Sequence, residues 1–176
     1  ALGDIGGGDA VAGTIRRTDP QTSRLAVGEA DVAEARLARV AGERAALKAT
    51  EKLKLAPDIV HCHDWQTGLI PVYLKTAETG YAPFQKTRSV FTIHNLAYQG
   101  NFPPDSFPAA GLGWEFYKSD FLEFYGKFSF LKGGLVFADA VTTVSERYSR
   151  EIQTKEFGCG MEGVLAARKD SVTGII

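Results

Sequence analysis

Every histidine of the chain falls in one of two short words, His61-Cys62-His63-Asp64-Trp65 and His94-Asn95-Leu96-Ala97-Tyr98-Gln99. Residues of these types can do two kinds of chemistry. A His-x-His followed by a carboxylate, with a third histidine nearby, can supply nitrogen and oxygen ligands to a divalent ion, as a metal-dependent hydrolase would require. Alternatively, Asp, Asn and His can exchange hydrogen bonds with sugar hydroxyls while Trp or Tyr covers the apolar face of the ring. The rest of the chain supplies no second carboxylate and histidine cluster of hydrolase type, which weighs against the metal. By composition alone neither word is specific, and an isolated strand histidine is most often a hydrogen-bonded core group.

Both words close short apolar runs. Ile59, Val60 and Cys62 suit a strand covered on both faces, with Ile59, His61 and His63 on one side and Val60, Cys62 and Asp64 on the other. Arg88 to Ile93 reads as a second strand at the spacing of a strand, helix, parallel strand unit. The intervening segment Gln66 to Thr76 reads as a covering helix that Pro71 forces to start late or to kink. Asp139 to Val144 is a third strand, Ser145 caps a helix running to about Gln153, and Ser171 to Ile176 begins a further strand.

Upstream, Ala30 to Leu55 reads as an amphipathic helix whose other face is a solvated charged surface. The proline- and glycine-bearing connection from Leu96 to Tyr117 is long enough to be functional or mobile. The spacing of Phe124, Phe128, Leu131 and Leu135 predicts one helix over Phe121 to Ala138, with Gly133-Gly134 marking close approach to a neighbouring backbone. The expected class is α/β, a Rossmann-like open parallel sheet with helices on both faces and a ligand site outside the carboxyl ends of its strands. Residues 1-28 are rich in glycine and aperiodic and read as poorly ordered chain, leaving 29-176 as the folded unit.

Composition removes several classes. Twenty basic residues against twenty-one acidic ones give no field that favours nucleic acid or an anionic membrane. Apolar runs are far shorter than the roughly 20 residues of a membrane span, and no leader of the signal-peptide kind is present. Two cysteines far apart, Cys62 and Cys159, read as core thiols in a reducing compartment rather than a disulfide framework.

As words rather than compositions, the two clusters are specific. Pro57-Asp58-Ile59-Val60-His61-Cys62-His63-Asp64-Trp65 with Gly68-Leu69, and Val90-Phe91-Thr92-Ile93-His94-Asn95-Leu96-Ala97-Tyr98-Gln99-Gly100, resemble segments of the bacterial glycogen synthases and plant starch synthases. The same family order continues through Phe128 to Leu135, Ala138-Asp139, Thr142 to Ser145 and Gly160-Met161-Glu162-Gly163. The resemblance begins at about residue 57, and the family's Lys-x-Gly-Gly-Leu loop has no counterpart in residues 1-28.

The resemblance implies transfer of glucose from ADP-glucose, or UDP-glucose in some relatives, to the non-reducing end of an α-1,4-glucan with retention. It implies no metal and no cofactor, since the nucleotide sugar is a substrate. It also implies an incomplete first domain of a two-domain glycosyltransferase fold, lacking the C-terminal nucleotide-binding domain and therefore inactive by itself. Its setting would be the cytoplasm in a bacterium or the plastid stroma in a plant. His94 and Asp64 fall at the family's catalytic positions, and Trp65, Asn95, Tyr98 and Gln99 at or near substrate-binding ones. Asp64 could instead merely cap the following helix. A non-catalytic glucan-binding or regulatory role and the metal-dependent hydrolase remain as alternatives.

Overall fold

The structure, a computed structural model, describes residues 29–76 and 81–175. The expected poor order of residues 1-28 lies outside them. Helix α1 (Glu29–Lys52) leads into strand β1 (Ile59–His63), helix α2 (Ile70–Lys75) and strand β2 (Arg88–Ile93). Short strands β3 (Asn101–Phe102), β4 (Glu123–Phe124) and β5 (Lys127–Ser129) precede helix α3 (Phe130–Phe137) and strand β6 (Ala140–Thr143). Helices α4 (Glu146–Glu151) and α5 (Glu162–Ala167) and strand β7 (Val172–Gly174) follow. Among the described residues, β1-β2-β6-β7 form one parallel sheet and β3-β5-β4 a small antiparallel one. This is the expected class, a parallel sheet flanked by helices. His63 lies opposite Thr92, and Thr92 opposite Thr142, so the carboxyl ends of three strands meet at one edge.

Local chemistry explains most boundaries. Pro71 stands in the first turn of α2, where a missing N–H breaks no helical hydrogen bond, and the helix starts late, as its proline requires. Ser145 Oγ accepts from the Tyr148 N–H and Ser129 Oγ from the Lys132 N–H, capping α4 and α3. Helix α3 lies against the sheet so closely that a Cβ on Gly134 would collide with the Phe91 ring. One on Gly68 would strike the Phe130 carbonyl. Of the expected backbone approach at Gly133-Gly134, Gly133 makes it, to the Gly68 carbonyl, whereas Gly134 faces a side chain. Cys62, Phe91, Ile93, Leu131 and Leu135 form the buried layer beneath it.

Three expectations need correction and one a qualification. Strand β1 is covered on one face only: Cys62 is buried, whereas Ile59 is 61% exposed and His61 and His63 are open. Among the described residues it is an edge strand, and its Cys62 side faces the packed layer. The segment 121–138 is not one helix. Tyr125 (φ 48) and Gly126 (φ 75) make a two-residue turn with both residues left-handed, which joins β4 to β5 as a hairpin, and the helix starts only at Phe130. The connection 96–117, expected to be functional or mobile, is packed at its centre. Phe107 is fully buried against Trp114, Tyr117 and Phe128. Finally, the charges of α1 are not all solvated: Glu43 is buried, and its Oε2 accepts the Leu69 N–H at 2.8 Å.

The cysteines divide. Cys62 is buried, and burial with the nearby Glu43 carboxylate pushes its thiol up to about 12, while Cys159 is exposed in a turn rather than in the core. Lys132 is buried too. Its ammonium donates to the carbonyls of Ser119 and Glu123, fastening the hairpin to α3. Burial lowers its pKa, while Glu123 and Asp120 oppose the shift.

At the sheet's opposite end, Asp139 gathers four donors. Lys75 Nζ (2.5 Å) and Arg88 Nη1 (3.0 Å) reach Oδ1, while the Ser89 N–H (2.8 Å) and hydroxyl (3.1 Å) reach Oδ2. Burial alone would raise this carboxyl, but the hydrogen bonds from Lys75, Ser89 and Arg88 hold it at about 2 instead of its ordinary 3.8. Because the folded value is depressed, the stabilisation is complete above the unfolded value and lost as pH falls through the folded one. Asp139→Asn is expected to cost about 1–2 kcal/mol at pH 7, with Lys75 and Arg88 partly solvent-screened. Urea denaturation of both proteins should show the difference shrinking between pH 4 and pH 2. A gap independent of pH would refute the ion-pair account.

Candidate functional site

The site is built where β1 and β2 end. Beyond the last paired residues the chains must part, and one carboxylate holds them together. Asp64 Oδ1 accepts the His94 N–H at 2.8 Å and the Asn95 N–H at 3.4 Å, and the Asp64 N–H donates to the Thr92 carbonyl at 2.9 Å. Asp64 takes φ 53 and ψ −177, a region essentially reserved for glycine, which costs of order 1–3 kcal/mol. Its side chain makes no capping bond to the following 3-10 turn, Trp65–Thr67, so the helix-cap reading is not met. Oδ2 takes no part in the clamp, which leaves an acceptor oxygen at the strand tip.

The histidines form a row across the open sheet face. His61 and His63 have ring centroids 4.2 Å apart and His63 and His94 5.3 Å apart. His63 Nδ1 and His94 Nε2 share a hydrogen bond at 3.0 Å. His61 Nε2 lies 2.6 Å from Thr92 Oγ1, itself 2.6 Å from Thr142 Oγ1. Burial lowers the His63 pKa and His61 and His94 add to that, while Asp64 opposes it. A cavity of about 360 Å³ adjoins the row, lined by His61, His63, Thr92, Thr142, Thr143, Val144 and Ile175. No three His, Cys, Asp or Glu side chains among the described residues are grouped to hold a metal ion. The hydrolase alternative thus finds no support.

The other candidates occupy different settings. Trp65 is half-buried, edge-on to Phe102 and Phe130, and Gly100 lies so close that a Cβ would strike its ring. Asn95 Oδ1 accepts the Ala97 N–H at 3.0 Å, a local turn that aims the next residues outward. Tyr98 is 66% exposed. Gln99 is engaged at both ends of its amide: Nε2 donates to the Cys159 carbonyl at 2.9 Å and Oε1 accepts from Asn101. The structure thus brings Asp64, His94 and Asn95 together at one tip, turns Trp65 into the packing beneath it, and makes Gln99 a strut to the Gly158–Met161 turn.

Sequence reasoning missed Thr92, Thr142 and Tyr148. The first two sit under the histidine row, and the Tyr148 hydroxyl accepts the Leu96 N–H at 3.0 Å. The only available signal was the strand period, which places Thr92 on the His61 and His63 side once the register is known.

Residues 27–167 match the family described as the starch synthase catalytic domain. The glycogen synthase of Thermodesulfovibrio yellowstonii is 50% identical over 133 residues, covering 76% of this chain and 27% of the relative. That of Koribacter versatilis is 53% identical over 125 residues, covering 71% and 26%. Among solved structures, the catalytic domain of starch synthase IV from Arabidopsis thaliana, bound to ADP and acarbose, matches with a TM-score of 0.73 at 30% identity. That match covers 78% of this chain and 29% of the other. The chain spans about a quarter of the length of the relatives it matches. No described helix is long and apolar enough to cross a membrane.

The clamp can be tested by stability. Asp64→Ala keeps the unfavourable φ and loses a carboxylate that satisfies two backbone donors, for an expected loss of about 2–3 kcal/mol. Asp64→Gly loses the same bonds but relaxes the backbone, and should be less destabilised by about 1 kcal/mol. Urea melts of both variants order them. Equal stability, or Gly below Ala, would remove the strain argument.

Proposed function

The chain belongs to the starch and glycogen synthase family, and on that premise we propose that its strand tips form one wall of a glucosyl-transfer site. The reaction moves glucose from ADP-glucose to the non-reducing end of an α-1,4-glucan with retention at the anomeric carbon. The observation that carries this reading is the Asp64 clamp, which fixes His94 at a strained and hence costly tip. Support comes from relatives that are glycogen synthases and from a solved relative whose bound ADP and acarbose match a nucleotide and a glucan-like sugar.

The chemistry assigns distinct roles. Breaking the bond between glucose and the diphosphate develops positive charge at the anomeric carbon, and a prepositioned dipole lowers that barrier without reorganising. His94 lies against the donor glucose and Asp64 Oδ2 accepts from a sugar hydroxyl, both held by backbone rather than by flexible loops. Tyr98 offers the most open ring for stacking, Asn95 and Gln99 shape the turn beside it, and Trp65 supports the wall from beneath. No metal or organic cofactor takes part.

A second wall, the family's nucleotide-binding domain, supplies the groups that hold the departing diphosphate. One wall gives little of the positioning on which such transfer depends. The exposed Tyr98 ring also favours a second reading, glucan binding without turnover.

Three measurements test the proposal. The 176-residue chain mixed with radiolabelled ADP-glucose and glycogen is expected to incorporate no label above background. In the complete polypeptide, His94→Ala should lower kcat by about 100-fold or more at unchanged thermal stability. Turnover by the chain alone, or an active folded His94→Ala enzyme, would overturn the assignment. Retention on amylose that Tyr98→Ala abolishes, with a complete enzyme lacking activity, would favour the binding reading.

A further inference from the structure

His63 has no role in the reading above, yet it makes the one side-chain hydrogen bond that reaches the His94 ring among the described residues. The geometry points to His63 as a positioning residue: it fixes the tautomer and ring orientation of His94, so that neutral His94 meets a sugar hydroxyl with an unprotonated Nδ1. This rests on the reading of His94 as a sugar contact.

Two imidazole nitrogens 3.0 Å apart hold a single proton between them, so one ring donates and the other accepts. The direction follows from the surroundings of His63. The titratable groups acting on it are His61 on its own strand, Asp64 beside it and His94 from the end of β2. From strand β6, Thr142 and Thr143 line the adjoining cavity and neither is titratable; the Thr143 hydroxyl donates to the Ile93 carbonyl. Burial and both histidines disfavour a positive charge on His63, and Asp64 alone favours it; above the pH at which it titrates, His63 is neutral with one N–H.

Its Nε2 has no hydrogen-bond partner among the described residues, and the residue is exposed. A proton on Nε2 can therefore be hydrated, and this is also the more stable form of a neutral imidazole in water. Nδ1 is then the acceptor, and His94 must donate from Nε2. The arrangement survives protonation of His94, whose Nε2 still donates. The reverse arrangement would block it.

The support beneath is rigid. Thr67 Oγ1 bonds both the backbone N–H of His63 (2.6 Å) and its carbonyl (2.8 Å), pinning the strand end. His61, tied to Thr92 and through it to Thr142, packs against the His63 ring with centroids 4.2 Å apart. The row therefore transmits the fixed register of three strands to the orientation of one imidazole.

The test uses the full chain labelled with 15N in its histidine rings, observed by long-range proton–nitrogen correlation above the pH at which the rings are protonated. The expected spectrum shows His94 protonated at Nε2 and bare at Nδ1. His63→Leu should move the two His94 nitrogens toward the averaged shifts of a free imidazole. His63→Asn, whose carbonyl oxygen can take the place of Nδ1, should restore their separation. Circular dichroism of each variant verifies folding, and the wild-type tautomer stands as a test even if a variant fails to fold. A His94 protonated at Nδ1, or a tautomer indifferent to His63→Leu in a folded protein, overturns the proposal. ADP-glucose, the donor whose glucose His94 is read to face, added to the complete polypeptide separates the two readings. If it leaves the His94 nitrogens unmoved while their dependence on His63 holds, positioning stands and the sugar contact falls.

Discussion

The architecture depends on one carboxylate bridging two diverging chains. Parallel strands hold each other only while they remain paired, and at their carboxyl ends β1 leaves for the turn before α2 while β2 leaves for the connection to β3. Asp64 answers that at β1 and β2 by accepting from His94 and Asn95. The backbone twist it adopts is unfavourable in isolation and persists because these bonds, the neighbouring turn and the packed layer below over-determine it. Chemistry and fold are therefore one feature here: the residue that closes the sheet edge also presents the acceptor.

The wall around that edge is braced from several directions. The Gly134 contact seats α3 on the Phe91 ring of the sheet and the Gly68 contact seats it on the turn after β1, so the layer beneath the tip has little room to move. The turn after His94 is tied to α4 by the Tyr148 hydroxyl and to the Cys159 carbonyl by Gln99. Lys132 anchors the hairpin by two backbone carbonyls. Such bracing suits a site whose contribution is electrostatic, because dipoles held in place need no reorganisation as charge develops.

The parallel strands, the delayed start at Pro71 and the Ser145 cap were legible because each is a local rule written in adjacent residues. The helix expected over 121–138 failed because Phe124, Phe128, Leu131 and Leu135 happen to keep a helical spacing across a hairpin. The left-handed Tyr125 that makes the turn carries no warning in its residue type. The open face of β1 was illegible because an edge strand and an inner strand share the same apolar residues, and only the strand order tells them apart. At the site, His94 and Asp64 were found as residues and not as a clamp. Their contact, like the one between His63 and His94, exists only once the register of β1 on β2 is known.

The division between the two thiols has a practical side. Cys62 is sealed beneath the sheet and held firmly in its protonated form, whereas Cys159 stands in solvent on the turn that Gln99 grips. A maleimide dye would therefore go to a single natural position without any engineered cysteine. It would sit on the far end of the strut that leads back to His94. Fluorescence from that position would report the environment of this turn in real time, in the unmodified sequence.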